Sequence, residues 1–263
     1  MEVGFCGVDG GGLGGLGVEM KTAPSTRENE LFAQGIFPIA GVDEAGRGPL
    51  AGPVVSCAVV LPPHCVIEGV YDSKKISPKR RAELAEKIKA SALAYAFGVV
   101  EAEEIDRINI LQAVLRAMRE AVIAVQNVLN NSVNNSMSDF ANNSTNKTLQ
   151  YVLVDGNFLP DLPYPAECII RGDAHCHLIA AASILAKEAR DEIMRNLHKL
   201  YPVYGFDVHK GYGTAKHLAA LAQYGACPAH RFSFKGVPII SSVHTISKEV
   251  QHGDDHHAKP TGF

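Results

Sequence analysis

Short apolar runs with strand character break off at acidic residues at three well-separated points of this sequence. Ile36, Phe37, Ile39, Ala40 and Val42 lead into Asp43-Glu44, "LQYVLVDGN" (149–157) carries Asp155, and "ECIIRGD" (167–173) ends on Asp173. Runs at 54–61 and 94–100 add two more strands. Ser77 and Pro78 open a helix as N-cap and first helical residue, with Leu84 and Ile88 on one face. Ile110, Val114, Ala117, Ala121 and Ala124 keep helical spacing within a second, long helix. Two more helices are expected, from about Ala174 to Leu200 and from about Thr214 to Tyr224. This mixed order predicts an α/β fold with a mixed central sheet flanked by helices. In such open sheets the carboxyl ends of strands line the functional crevice, so the acids are expected to converge.

With 263 residues, 46% of them hydrophobic, the chain can bury one sizeable α/β core. A net charge of −3 rules out a bulk polycation, so any nucleic-acid partner has to be held by a local basic surface. The six cysteines form no C-x-x-C pair, as expected of reduced thiols in a cytoplasmic protein, and Cys57 reads as core. No apolar run reaches the ~20 residues of a membrane helix, and the first basic residue is Lys21, so no membrane partner and no secretory leader are expected. Residues 1–36 open with "GVDGGGLGGLG" and read as a flexible glycine-rich extension. Met20 resembles an ordinary bacterial start, and residues 1–19 are expected to be dispensable. Residues 126–148, loaded with Asn and Ser, read as a low-complexity insertion in a domain spanning 37–240, and 241–263 as a disordered His-rich tail.

Taken singly, Asp155 reads as a turn residue and Asp173 as a helix cap. Together with Asp43 and Glu44 they form a set that stays ionised only if cations compensate the repulsion. Hard oxygen ligands without His or Cys suit Mg²⁺ or Mn²⁺, and a carboxylate cage for two such ions is equipment for phosphodiester hydrolysis. Three basic groups accompany the acids: Lys74, Lys75, Lys79, Arg80 and Arg81; Lys187, Arg190, Arg195 and Lys199; and His209, Lys210, Lys216, His217, His230 and Arg231. Each alone is a solvated face; three around an acidic cage favour a nucleic-acid strand. A phosphate loop built on Gly46 and Gly48 lacks the Lys-Ser/Thr that nucleotide switches need.

The ordered set "GVDEAGRGPLAGPVV", "DSKKISPKRR", "YVLVDGN", "RGDAHCHLIAAASILAKEARD" and "HKGYGTAKHLAAL…YGACPAHRFSF" closely resembles the bacterial ribonuclease HII family, the type 2 ribonucleases H, over about residues 37–240. The resemblance implies a ribonuclease H-like fold and a monomeric endonuclease acting on RNA–DNA hybrids and on single ribonucleotides in duplex DNA. It places the four metal-binding acids on Asp43, Glu44, Asp155 and Asp173, and the ribose-reading Gly-Arg-Gly element on Gly46, Arg47 and Gly48. The junction-sensing tyrosine falls on Tyr212, and phosphate-contacting lysines on Lys74, Lys75 and Lys187. A hybrid-binding protein that no longer cuts is the alternative from another class; the presence of all four acids argues against it. His175 and His177 stand where relatives carry basic or small polar residues, and Glu188 where an apolar one is usual. The two histidines are expected to approach either the metal cage or the substrate phosphates, with plain solvent exposure as the alternative.

Overall fold

The structure, a computed structural model, describes residues 21–131 and 148–238. Its centre is a five-stranded sheet of β1 (Ile39–Ala45), β2 (Val54–Val60), β3 (Ala94–Val100), β4 (Tyr151–Asp155) and β5 (Ala166–Ile169), in the spatial order β3-β2-β1-β4-β5. The first three strands form an antiparallel meander; β4 joins β1 in parallel and β5 joins β4 in parallel. The sheet is therefore mixed, and it is covered on both faces, as the apolar runs require.

Side-chain alternation divides the core between those faces. Ile39, Cys57, Val59 and Leu153 pack with α2 (Pro78–Ser91) and α6 (His177–Leu200). Ala40, Val42, Ala58, Val60, Val152 and Val154 face α4 (Ile110–Asn131), preceded by the short α3 (Ala102–Ile108). Two glycines allow these contacts. A Cβ on Gly41 would lie 2.4 Å from the Leu178 backbone, and one on Gly98 2.0 Å from the Ala117 carbonyl oxygen. A third core joins α6 to the C-terminal elements α7 (Phe206–His209) and α8 (Ala215–Tyr224) through Met194, Tyr204, Phe206 and Leu221.

The helix at 78–91 forms as expected, Ser77 accepting from the Arg80 N–H at 3.4 Å. Three sequence expectations change. Residues 21–36 are not all free extension: α1 (Thr26–Ala33) buries Leu31 and Glu28, and Arg27 pairs with Glu167 of β5. The glycine-rich composition of the head masked a short amphipathic helix behind it. The segment from 126 starts as core helix: Leu129 is buried, and Gln126 accepts from the Leu149 N–H at 2.7 Å. The long helix carrying Ile110 to Ala124 forms unbroken as α4, after Asn109 in a left-handed conformation (φ 67°), whereas the helix expected from about Ala174 is broken at extended Cys176 between the four-residue α5 (Gly172–His175) and α6. The rest of the Asn/Ser segment (132–147), residues 1–20 and the His-rich end (239–263) lie outside the described residues.

Candidate active site

Parallel pairing of β1 with β4 aligns Val42 with Val154, so Asp43 and Asp155, the next residue on each strand, leave the sheet side by side. Carboxylate oxygens of Asp43, Glu44 and Asp155 all lie within 4.8 Å of one another. Asp173 enters from α5, next to Gly172, whose N–H donates to Asp155 Oδ1 at 2.6 Å. It borders the three-acid cluster without joining it at that distance. The backbone is shaped for this approach: a Cβ on Gly172 would lie 3.2 Å from Asp155 Oδ1.

Asp43 is 5% exposed. Burial first, then the charges of Glu44 and Asp155, hold its carboxyl well above the ordinary range. Burial likewise raises Glu44, against the opposing pull of Arg47, and Asp155, against the Gly172 N–H. Asp173 is raised by burial and by Asp72 and Asp155. Such a group stays fully ionised only beside a positive charge. Its all-oxygen donor set fits a divalent cation of the Mg²⁺ or Mn²⁺ kind. Burial acts to lower the Lys74 ammonium, but Asp173, Asp43, Asp72 and Asp155 around it raise it overall. Arg47 pairs with Glu44 at 3.5 Å.

A cleft beside the acids is lined by Glu44, Gly46, Arg47, Gly48, Lys74 and Tyr212, among others. The Tyr212 ring packs by Gly48, where a Cβ would meet Tyr212 Cε1 at 3.7 Å, and remains 46% exposed. Lys187 also lines the cleft, tethered to Asp191 at 2.6 Å. Lys75 is not among the cleft-lining residues; it pairs with Asp72 and lies over the Tyr71 ring, and its charge opposes the rise of Asp173.

The three basic groups are only partly a surface. Arg81 is buried between Glu188 and Asp191. Arg190 and Arg231 are buried and donate to backbone carbonyls, and His209, His217 and His230 stack in the third core. Sequence spacing registers charge, not burial, and these residues serve packing. His177 is also internal: it accepts at Nε2 from the Ile67 N–H at 3.1 Å, burial lowers its pKa, and it is no part of the acid cluster. His175 is exposed and likewise outside the cluster.

Sequence reasoning missed Ser183 and Ser73. Ser183 hydrogen-bonds Asp43 from α6, and its Oγ lies 2.9 Å from Ser73 Oγ, so two buried hydroxyls steady the most buried acid of the cluster. The signal was present as a lone hydroxyl in the apolar run "AAASILA".

Comparison with known proteins agrees with this geometry. The ribonuclease HII family model matches residues 40–237. A ribonuclease HII of Caldanaerobacter subterraneus is 46% identical over 207 residues, covering 79% of this chain and 78% of that protein. Ribonuclease HII 1 of Methylibium petroleiphilum is 50% identical over 198 residues, covering 75% and 90%. Among solved structures, the ribonuclease H2 of Pyrococcus horikoshii superposes with a TM-score of 0.54 at 28% identity, covering 75% of this chain and 94% of that one. The Archaeoglobus fulgidus ribonuclease HII solved with PCNA shares the fold at a TM-score of 0.58 and 23% identity, covering 76% and 96%. With its acids converging at the carboxyl ends of β1 and β4 and the family match running through nearly all of the described sheet and helices, the chain belongs to the ribonuclease HII family.

Proposed function

We propose that this chain hydrolyses the RNA strand of RNA–DNA hybrids and also cuts on the 5′ side of a single ribonucleotide embedded in duplex DNA, leaving 3′-hydroxyl and 5′-phosphate ends. Membership of the family makes it a ribonuclease H endonuclease acting on hybrids; the single-ribonucleotide activity and the two-cation mechanism are our reading. Asp43, Glu44 and Asp155 hold the divalent cations, Mn²⁺ or Mg²⁺, and Asp173 completes the set from α5. When bound, such cations activate water and stabilise the leaving oxygen.

The chain's own residues supply recognition. Arg47 offers a planar fork to phosphate, and the glycines on either side let backbone amides approach the ribose, where the 2′-hydroxyl distinguishes RNA from DNA. The Tyr212 ring stacks on the following sugar and favours one without a 2′-oxygen. Lys74 and Lys187 hold neighbouring phosphates; Lys75 adds a more distant contact. We place the enzyme in the cytoplasm as a monomer; no helix among the described residues is long and apolar enough to cross a membrane.

The observation that supports this reading is the shared cleft: Glu44 of the acid cluster, the Gly46–Arg47–Gly48 loop and Tyr212 line the same wall. The test is cleavage of duplex DNA carrying one ribonucleotide, mapped at nucleotide resolution with Mg²⁺ or Mn²⁺. A single cut 5′ of the ribonucleotide, with the all-DNA duplex intact, is expected. An uncut substrate, or cuts scattered through the DNA, would overturn the reading.

A further inference from the structure

Two buried guanidiniums lie beneath the cleft. Arg231 is 0% exposed and Arg190 1%. Arg231 donates from Nη2 to the Gly46 carbonyl at 2.7 Å, from Nη1 to the Arg47 carbonyl at 3.0 Å, and from Nε and Nη2 to the Gly52 carbonyl at 2.9 and 2.8 Å. Arg190 donates to the carbonyls of Pro53, Ala51 and Lys210 at 2.9, 3.0 and 3.0 Å. Among the described residues no carboxylate lies within 4.0 Å of either group, in contrast to Arg81, which has two. Burial, with Arg190 adding to it, pushes the Arg231 guanidinium down to about 9. A buried cation without an anion is costly to keep. Converging carbonyls cannot satisfy one another, and a planar group with several N–H donors in fixed directions can satisfy them all.

The consequence falls on the other side of the same peptide units. With the Gly46 and Arg47 carbonyls turned inward, the N–H groups of Arg47 and Gly48, which share those peptide units, donate to no protein acceptor among the described residues, and both residues line the cleft. The loop also rests directly on Arg190: a Cβ on Gly46, at φ 103°, would lie 2.1 Å from Arg190 Nε. Backbone amides facing a cleft form a site for phosphate and ribose oxygens.

We propose that Arg231 is a positioning residue for ribose recognition. It fixes the peptide planes of the Gly46–Arg47–Gly48 loop so that their amides, and not their carbonyls, meet the substrate. This rests on the function proposed above and assigns part of its specificity to a residue that no substrate atom touches. Lysine keeps the charge but has a single donor centre and cannot span these carbonyls.

The test measures affinity for two duplexes in Ca²⁺, one all DNA and one with a single ribonucleotide, for the wild-type protein and Arg231→Lys. The wild type is expected to favour the ribonucleotide duplex. In Arg231→Lys that preference is expected to fall about tenfold, the scale of one or two misplaced hydrogen bonds, while affinity for the all-DNA duplex, carried by surface cations, changes less than about twofold. General loosening would weaken both duplexes alike. An unchanged preference in a folded Arg231→Lys overturns the inference and leaves the function standing. Absence of any preference in the wild type overturns the function itself, and the inference falls with it. If Arg231→Lys fails to fold, Phe234→Leu takes its place, because the Phe234 ring lies 5.0 Å from Arg231 Cζ and braces it. A smaller fall in preference is then expected, and no fall overturns the inference.

Discussion

His217 donates its Nδ1 hydrogen to the backbone carbonyl of Tyr212 at 2.9 Å. The tautomer follows from its neighbours. The Cys227 N–H donates to His230 Nδ1 at 3.0 Å, which leaves His230 Nε2 as the donor to His217 Nε2, also at 3.0 Å. The Thr214 N–H shares the Tyr212 carbonyl at 2.8 Å. A buried pair of neutral imidazoles thus anchors the backbone of an exposed ring. Tyr212→Ala is expected to reduce cleavage at a single ribonucleotide more than cleavage of long hybrids. His217→Leu should reproduce part of that bias, and His217→Asn less of it, because the amide nitrogen can replace Nδ1. Equal losses on both substrates would assign Tyr212 to packing alone.

The same imidazoles make stability depend on pH. Burial, with His217 beside it, holds the His230 pKa down to about 4. The unfolded chain takes up this proton near the ordinary value of about 6.5, and the folded chain does not. The contribution is therefore complete above about 6.5 and is lost as pH falls toward 4, at up to about 1.4 kcal/mol per pH unit for one proton. Tm measured from pH 7.5 to 5 should fall less steeply in His230→Asn than in wild type. Parallel curves would mean that the histidine is protonated in place.

Replacing Asp43 by Asn keeps its shape, its contact with Ser183 and its place beside Glu44, but removes one negative charge from the cation site. Hybrid cleavage at saturating Mg²⁺ should drop by orders of magnitude, while hybrid binding, carried by basic residues, largely persists. Near-normal turnover would sink the assignment of the acids.

Arg81 joins α2 to α6, with Nε 2.6 Å from Glu188 and Nη2 2.9 Å from Asp191. Arg81→Met leaves half-buried Glu188 without this partner and Asp191 with Lys187 alone, and is expected to cost about 1–3 kcal/mol, read by urea denaturation. A cost near zero would show that Lys187, which also pairs with Asp191, compensates fully.

Glu28 caps a helix other than its own. From α1 its Oε1 accepts from the Leu178 N–H at 2.9 Å, in the first turn of α6, and from the Cys176 thiol at 3.2 Å. Glu28→Ala should destabilise by about 0.5–2 kcal/mol, as for a lost N-cap. A chain starting at residue 37 should lose more, since Leu31 leaves with it. Equal Tm for the 37-start and full-length proteins would return α1 to a dispensable extension.

The strand ends, their acids and the Gly-Arg-Gly loop were legible because each is a local pattern: an apolar run, a polar stop, a glycine pair. Ser77 as N-cap and the strands at 54–61 and 94–100 were legible for the same reason; their antiparallel meander was not. α1 was not, because its glycine-rich neighbourhood concealed two buried residues, Glu28 and Leu31, whose partners lie elsewhere in the chain.

By itself the sequence determined which residue types end each strand, and hence that carboxylates would stand at the carboxyl edge of the sheet. Only the tertiary structure decided which of them meet. Parallel register sets Asp43 beside Asp155, whereas Asp173, carried on a separate short helix, stops at the border of the cluster. It also decided the fate of the cations. Arg47 and Lys74 are exposed in the cleft, whereas Arg81 and Arg231 are buried away from it, and one-dimensional spacing cannot tell these fates apart. The reason is physical: a charged side chain is solvated or internal according to whether distant segments supply partners for all of its donors, and those segments, from Gly46 to Lys210, are brought together only by folding.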